Sequence, residues 1–167
     1  MPSQGPTAGG TFANGGEASR AAWSNPSNAG ASDNSYATAT ITPTPITTQT
    51  LQATNFGFTV PSGATITSVV ADVERSVNTT SRQPRDLSVR LIKGGTITGT
   101  DKASATTWPT TDGTASYTFT VPTDLTLSDT DVNASTFGLA ISAQRSAGKV
   151  GTVTVRIDLI SLTVNYT

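Results

Sequence analysis

The sequence predicts an all-β domain, a jelly-roll-like two-sheet β-sandwich with an extended N-terminal arm. Stretches rich in Val, Ile, Thr and aromatic residues alternate apolar and polar positions with period two, whereas helix signals are nearly absent. The apolar residues are also unevenly placed. Leu, Ile, Val and Phe make up 33 of 167 residues, and Phe12 is the only one of them before residue 41. We therefore expect a core built from the later residues, in a sandwich rather than a closed barrel.

The extended arm is predicted over residues 1–35, and the sandwich domain over residues 36–167. The N-terminal segment is rich in Gly, Ser, Asn, Ala and Pro, a composition that favours turns and extended chain. It nevertheless contains two large apolar side chains, Phe12 and Trp23. One interpretation is a mobile tail with Trp23 folded onto the sandwich, and the other is an arm that orders against another subunit. We expect that deletion of residues 1–22 leaves a folded sandwich but weakens attachment or trimer formation.

Strands are expected where apolar residues occupy every second position, either the odd-numbered or the even-numbered ones. The stretches with this pattern are residues 36–41, 51–60, 69–77, 87–91, 115–121, 137–143 and 150–166. In the last stretch the apolar positions are odd-numbered from Val153 to Leu159 and even-numbered from Ile160 onward. This change of parity predicts a β-bulge or corner near residues 158–160. A similar change predicts a break near Asn55.

One helix signal is present, in Ser128-Asp129-Thr130-Asp131, which resembles a capping box and leaves room for a single turn. The run that starts at Asp129 also resembles the start of a calcium loop. However, Ala134 and Ala140 stand where an EF-hand requires Gly and Glu. An acidic turn before a strand is the preferred interpretation, and no metal or cofactor is predicted.

Composition excludes several classes of function. The chain has no Cys and no His, which removes disulfides, thiol nucleophiles, zinc sites with these ligands and Ser-His-Asp triads. The net charge of −1 lacks the basic character of a nucleic-acid-binding protein. No apolar run approaches the ~20 residues of a membrane span, and the first residues lack the pattern of a signal peptide. We expect neither a nucleic-acid nor a membrane partner.

Two residue groups leave a chemical alternative open. Asp72 and Glu74 share one face of a predicted strand, at a spacing that suits the paired carboxylates of a glycosidase. A solvated polar face explains them as well and is preferred. Trp108, which precedes Pro109, is either a sugar-stacking platform or, in the preferred interpretation, a loop anchor that covers a core edge. The protein is therefore predicted not to be an enzyme.

Four phrases carry a family resemblance. They are residues 23–29 with 35–39, residues 56–66 continuing to 73–75, residues 89–95 with Trp108-Pro109, and residues 131–141 with the strand that ends at Tyr166. Together they resemble small virion proteins of tailed bacteriophages that have β-sandwich folds. Each phrase is a turn-plus-strand signature rather than a catalytic motif.

The resemblance implies a capsid decoration (cement) protein. Such a protein would sit as a homotrimer on the outer surface of the phage head after synthesis in the host cytoplasm. It would bind the major capsid protein and stabilise the shell. The alternative is a tail- or baseplate-associated module that binds a carbohydrate or host receptor. A single domain with its own Met1 and an aromatic-bearing arm favours decoration, and we expect Phe12, Trp23, Arg82 and Arg85 at the interface.

Overall fold

The computed structural model describes residues 1–167 and contains two five-stranded antiparallel sheets, with one 3₁₀ turn and one short helix. In chain order the elements are β1 (Ser3–Ala8), β2 (Thr11–Gly15), a 3₁₀ turn (Pro26–Ala29), β3 (Ala37–Ile41), β4 (Thr50–Thr54), β5 (Ile66–Val77), β6 (Arg85–Lys93), β7 (Thr96–Thr98), β8 (Gly113–Thr120), α1 (Asp129–Asn133), β9 (Gly138–Gln144) and β10 (Val153–Tyr166). No helix is long and apolar enough to cross a bilayer.

The strand order gives the sandwich its jelly-roll-like topology. In sheet A, β1 and β3 both pair with the long β10, which is followed by β5 and β8. In sheet B the order is β2-β4-β9-β6-β7. The chain changes sheet at every connection except the β6–β7 hairpin. The predicted all-β sandwich is confirmed.

A continuous core of 32 buried residues lies between the sheets. Its members follow the period-two alternation of the strands, because successive side chains point to opposite faces. In β5, for example, Val69, Ala71 and Val73 are fully buried. Residues 56–60 also alternate between buried and exposed, but this segment forms no strand. Gly57 has a φ of +69°, which a regular strand does not use.

The predicted irregularities are present. β10 shifts its register against β5 between Ile157 and Leu159, which is the β-bulge that the change of parity indicated. β4 ends immediately before Asn55, which has a left-handed φ of +59°. The single turn α1 begins at a complete capping box between Ser128 and Asp131. Local patterns in the sequence therefore locate the two breaks and the helix.

The N-terminal segment, predicted as an extended arm, is part of the sandwich. β1 pairs with the C-terminal half of β10, and β2 pairs with β4 at the edge of sheet B. The expected boundary after residue 35 is therefore not a structural division. The physical reason is that a β-ladder is made by backbone groups, so Thr, Asn, Gly and Ala can complete a sheet while adding few core side chains.

Candidate functional site

The main concave feature of the surface is a groove beside strand β8. It has a volume of about 470 Å³, and two of its twelve lining residues are hydrophobic. Thr114, Ser116 and Thr118 form the β8 side of the groove. Ser104, Thr106 and Thr107 of the loop between β7 and β8 also line it. The groove therefore offers mainly hydroxyl and backbone groups to a ligand.

Strand β8 is the last strand of sheet A and pairs only with β5. The backbone N–H and C=O of one residue point to the same side of a strand, and the side alternates along the chain. Both backbone groups of Thr120 bond outside the sheet, to the Asp124 carboxylate and the Asp124 N–H. By alternation, the backbone groups of Thr114, Ser116 and Thr118 point away from β5.

This free edge lacks the charge, proline and bulges that often block strand addition, although the loop between β7 and β8 forms the other side of the groove. Edge strands are commonly protected by charged side chains, proline, bulges or very short length. The eight residues of β8 contain no charge and no proline, and their pairing with β5 has no register shift. By contrast, the edge strand β7 is three residues long. The groove beside β8 therefore contains the row of backbone groups to which an extended peptide adds.

A buried polar network lies beneath the groove and centres on Asp86. Its carboxylate accepts hydrogen bonds from Trp108 Nε1 (2.8 Å), the Tyr117 hydroxyl (2.8 Å) and the Ser104 backbone N–H (2.8 Å). Arg75 pairs with the same carboxylate, and its guanidinium carbon lies 4.7 Å from the Trp108 ring centroid. These residues come from β5, β6, β8 and the loop between β7 and β8. The network therefore fixes both sides of the groove.

The electrostatics of this network keep its donors protonated. Burial raises the pKa of the Tyr117 hydroxyl, and the nearby Asp86 charge raises it further. The raised pKa favours the neutral phenol, which donates a hydrogen bond to Asp86. The Asp86 charge is in turn balanced by Arg75, which is 4% exposed.

The charge at the rim of the groove is also balanced. Lys102 lines the groove, and its ammonium group lies 2.8 Å from the Asp124 carboxylate. Hydrogen bonds from Lys102 and from the Thr120 backbone N–H hold the pKa of Asp124 below its usual value of 3.8. The groove consequently suits an uncharged, hydrogen-bonding ligand segment better than an acidic or basic one.

The aromatic residues expected at an interface face the core of their own chain. Trp23 is 3% exposed and donates from Nε1 to the Gln49 carbonyl at 2.8 Å. Phe12 is partly buried and packs against the core from β2. Trp23 is therefore buried within its own chain, whereas Phe12 keeps part of its surface exposed.

Arg82 and Arg85 are half-buried and lie against the loop that follows β9. Arg85 donates to the Ser146 hydroxyl at 2.8 Å, and the Arg82 carbonyl accepts from the Ser146 N–H at 3.1 Å. Arg145, which the sequence did not single out, is 1% exposed and donates to the Gly151 carbonyl in the same loop. These three arginines contact the loop between β9 and β10, and none of them lines the groove.

The other candidate residues are also located. Trp108 is fully buried, as expected for a loop anchor. Its ring is therefore not exposed for stacking against a sugar. Asp72 accepts a hydrogen bond from Ser116, whereas Glu74 lies near Asp112 and Asp158. The acidic turn at Asp129 caps α1 through Asp131, which also pairs with a lysine of β6. The two carboxylates considered as a glycosidase pair thus have different neighbours.

Sequence reasoning missed the network around Asp86, although one signal was present. Arg75 has the same parity as Val73 and Val77, so the pattern of β5 already places an arginine among core positions. A buried guanidinium requires a buried acidic partner. Asp86, which immediately precedes the predicted strand stretch 87–91, was available for that role.

The comparisons with known proteins found few similarities. No family model matches the chain, and no curated protein matches it. Among solved structures, one described as "CBM4 structure and function" aligns with 81% of this chain and 87% of its own chain. The alignment has 12% sequence identity and a TM-score of 0.44. This level of similarity assigns no role to any residue of the chain.

Proposed function

We propose that this chain is a non-enzymatic structural protein of a tailed-phage virion, a capsid decoration protein that binds the major capsid protein on the outer surface of the head. The sequence phrases described above motivate the virion assignment. The observation that carries the binding mode is the unpaired, uncharged edge of β8 beside a polar groove. In this proposal an extended segment of the capsid protein adds to β8 as a further strand.

A peptide strand suits the groove better than a sugar ring. Recognition of a sugar ring commonly uses an exposed aromatic face, but Trp108 is fully buried and Tyr117 is 5% exposed. Strand addition needs mainly outward backbone groups and small alternating side chains, which Thr114, Ser116 and Thr118 supply. The carbohydrate-binding form of the tail-module alternative therefore lacks its proposed stacking residue, Trp108.

Decoration would stabilise the head by mass action. A protein that binds only the assembled lattice lowers the free energy of that lattice relative to its separated subunits. A homotrimer at local three-fold positions would place three equivalent β8 edges around one axis, so that three weak contacts act together. Trimer formation belongs to this proposal.

The test is addition of the purified protein to expanded, undecorated capsids, followed by sedimentation and counting of bound copies. Thr118→Lys places a charge on the groove side of β8 and should weaken binding at least tenfold, because charged edges resist strand addition. The matched control is Thr96→Lys, on the exposed face of edge strand β7, which should bind like the unmodified protein.

Two outcomes contradict the proposal. Equal binding by the Thr118→Lys and Thr96→Lys variants would remove the β8 groove from the interface. Failure of the unmodified protein to add to any capsid, together with glycan-array binding that Thr118→Lys abolishes, would favour the tail-module alternative.

A further inference from the structure

Three carboxylates meet on the outer face of sheet A, outside the groove network. Glu74, Asp112 and Asp158 each place an oxygen within 4.8 Å of the others. None of the three forms a salt bridge with an arginine or lysine. The charged group near this cluster is Arg156, whose guanidinium carbon lies 5.7 Å from the Tyr36 ring centroid.

The fold brings these residues together from three neighbouring strands. Asp158 is the residue at the β10 bulge, where the register against β5 shifts between Ile157 and Leu159. Glu74 is on β5, where it pairs with Leu159 of β10. Asp112 immediately precedes β8. The sequence separation of these residues explains why a search for consecutive ligand patterns predicted no metal site.

The second observation is that two oxygens in the cluster are buried and have no partner. Asp158 is 1% exposed, and its Oδ1 atom accepts no hydrogen bond. Asp112 Oδ1 is likewise buried and without a partner. The remaining oxygens are fixed by other contacts, because Asp158 Oδ2 accepts from the Asn34 N–H at 3.1 Å and Asp112 Oδ2 from the Tyr36 hydroxyl at 2.7 Å. Buried carboxylate oxygens normally have a hydrogen-bond partner or a ligand, so these two are available to a cation or to water.

The electrostatics agree with this geometry. Burial raises the pKa of Asp158, hydrogen bonds from the Asn34 and Asp33 backbone N–H groups lower it, and the Glu74 and Asp112 charges raise it. None of the three carboxylates pairs with a lysine or arginine, so a bound cation would supply a counter-charge.

We propose that Glu74, Asp112 and Asp158 bind one Ca²⁺ ion. Oxygen ligands that each lie about 2.4 Å from one ion cannot be more than about 4.8 Å apart, and this cluster meets that limit. The site has carboxylate oxygens and no imidazole or thiolate, so it favours a hard cation. Calcium accepts irregular geometry and completes its shell with water or carbonyl oxygens, whereas Mg²⁺ demands a regular octahedron.

This ion would join the loop after the 3₁₀ turn to sheet A. Gly30 bridges to Leu159 at the bulge, and Asn34 and Tyr36 bond to the carboxylates. Calcium would therefore hold three strands and this loop together at one point. The inference is independent of the proposed capsid function.

The test uses the purified full chain treated with EDTA and then titrated with CaCl₂ or MgCl₂ by calorimetry, with thermal unfolding measured in parallel. We expect one saturable Ca²⁺ site and weaker Mg²⁺ binding. A hundredfold excess of Ca²⁺ over Kd should raise Tm by about 5 °C or more. Tb³⁺ offers a second readout, because excitation of Tyr36 should sensitise its luminescence.

Glu74→Gln and Asp158→Asn should each weaken Ca²⁺ binding by about tenfold or more. Asp72→Asn is the matched control, since Asp72 lies on the same strand as Glu74 and its carboxylate bonds to Ser116. In EDTA, Asp158→Asn should melt at the same temperature as the unmodified protein or higher, because it removes a repulsive charge. A merely structural carboxylate would give the opposite result.

Absence of Ca²⁺ binding and of any Tm change at millimolar CaCl₂ would overturn the proposal. An equal loss of binding in Asp72→Asn and Glu74→Gln would overturn the assignment to this cluster. Neither result depends on capsid binding, so the two proposals can fail separately.

Discussion

The polar residue with the most consequence for stability is Asp86. It is 2% exposed and balances a buried arginine while accepting hydrogen bonds from a tryptophan and a tyrosine. The attraction within a buried pair is offset by the cost of desolvating both charges, but removing one partner leaves the other charge buried and unpaired. The stability of the sandwich beneath the groove therefore depends on all members of the network being present.

Asp86→Asn should lower the free energy of unfolding by about 3 kcal/mol, because it leaves Arg75 charged and unpaired in the core. Chemical denaturation measures this change. Glu17→Gln is the control, since its partner Arg20 forms an exposed pair, and the effect should be under about 1 kcal/mol. Similar stabilities for the two variants would contradict the network's role.

Asp124 gives a pH-dependent prediction at the same scale. Its pKa is lowered in the folded state by Lys102 and by the Thr120 N–H, so folding favours the ionised carboxylate. The stabilisation is present above the unfolded pKa of about 3.9 and is lost as pH falls through the lower folded value.

Asp124→Asn should therefore be less stable than the unmodified protein near pH 6, with a difference that shrinks below about pH 4. Urea unfolding across this range measures the difference. A stability gap that is constant with pH would contradict the assignment of the stabilisation to the ionised carboxylate.

Among the elements, those with local signals were predictable. The bulge in β10 follows from the parity of its apolar residues, and the start of α1 follows from its capping residues. β1 and β2 were not predicted, because they contribute backbone hydrogen bonds and few apolar side chains. The Asp86 network and the carboxylate cluster depend on strand pairing between distant residues, which period-two patterns do not specify.

The N-terminal strands give a prediction at the scale of elements. Deletion of residues 1–15 should lower Tm and promote aggregation, because it exposes the edges of β4 and β10 and removes Phe12 from the core. Differential scanning calorimetry and light scattering measure the two effects. An unchanged Tm and a monodisperse truncated protein would restore the original expectation of a dispensable arm.

The whole molecule is a sandwich fixed internally by polar networks, and β8 is a long edge strand without charge or proline. The groove beside β8 is polar and nearly neutral, so shape and backbone pairing would determine its specificity more than charge. The proposed calcium site would stiffen the same sheet beside the groove, because Glu74 pairs with Thr114. We propose that the role at this scale is adhesion to a larger particle.

The most direct measurement is electron cryo-microscopy of purified virions that contain this chain. We expect density for the sandwich on the outer surface of the head, repeated at local three-fold positions. The β8 edge should lie against the major capsid protein. Heads that lack this density, or density for the sandwich in the tail alone, would contradict this expectation.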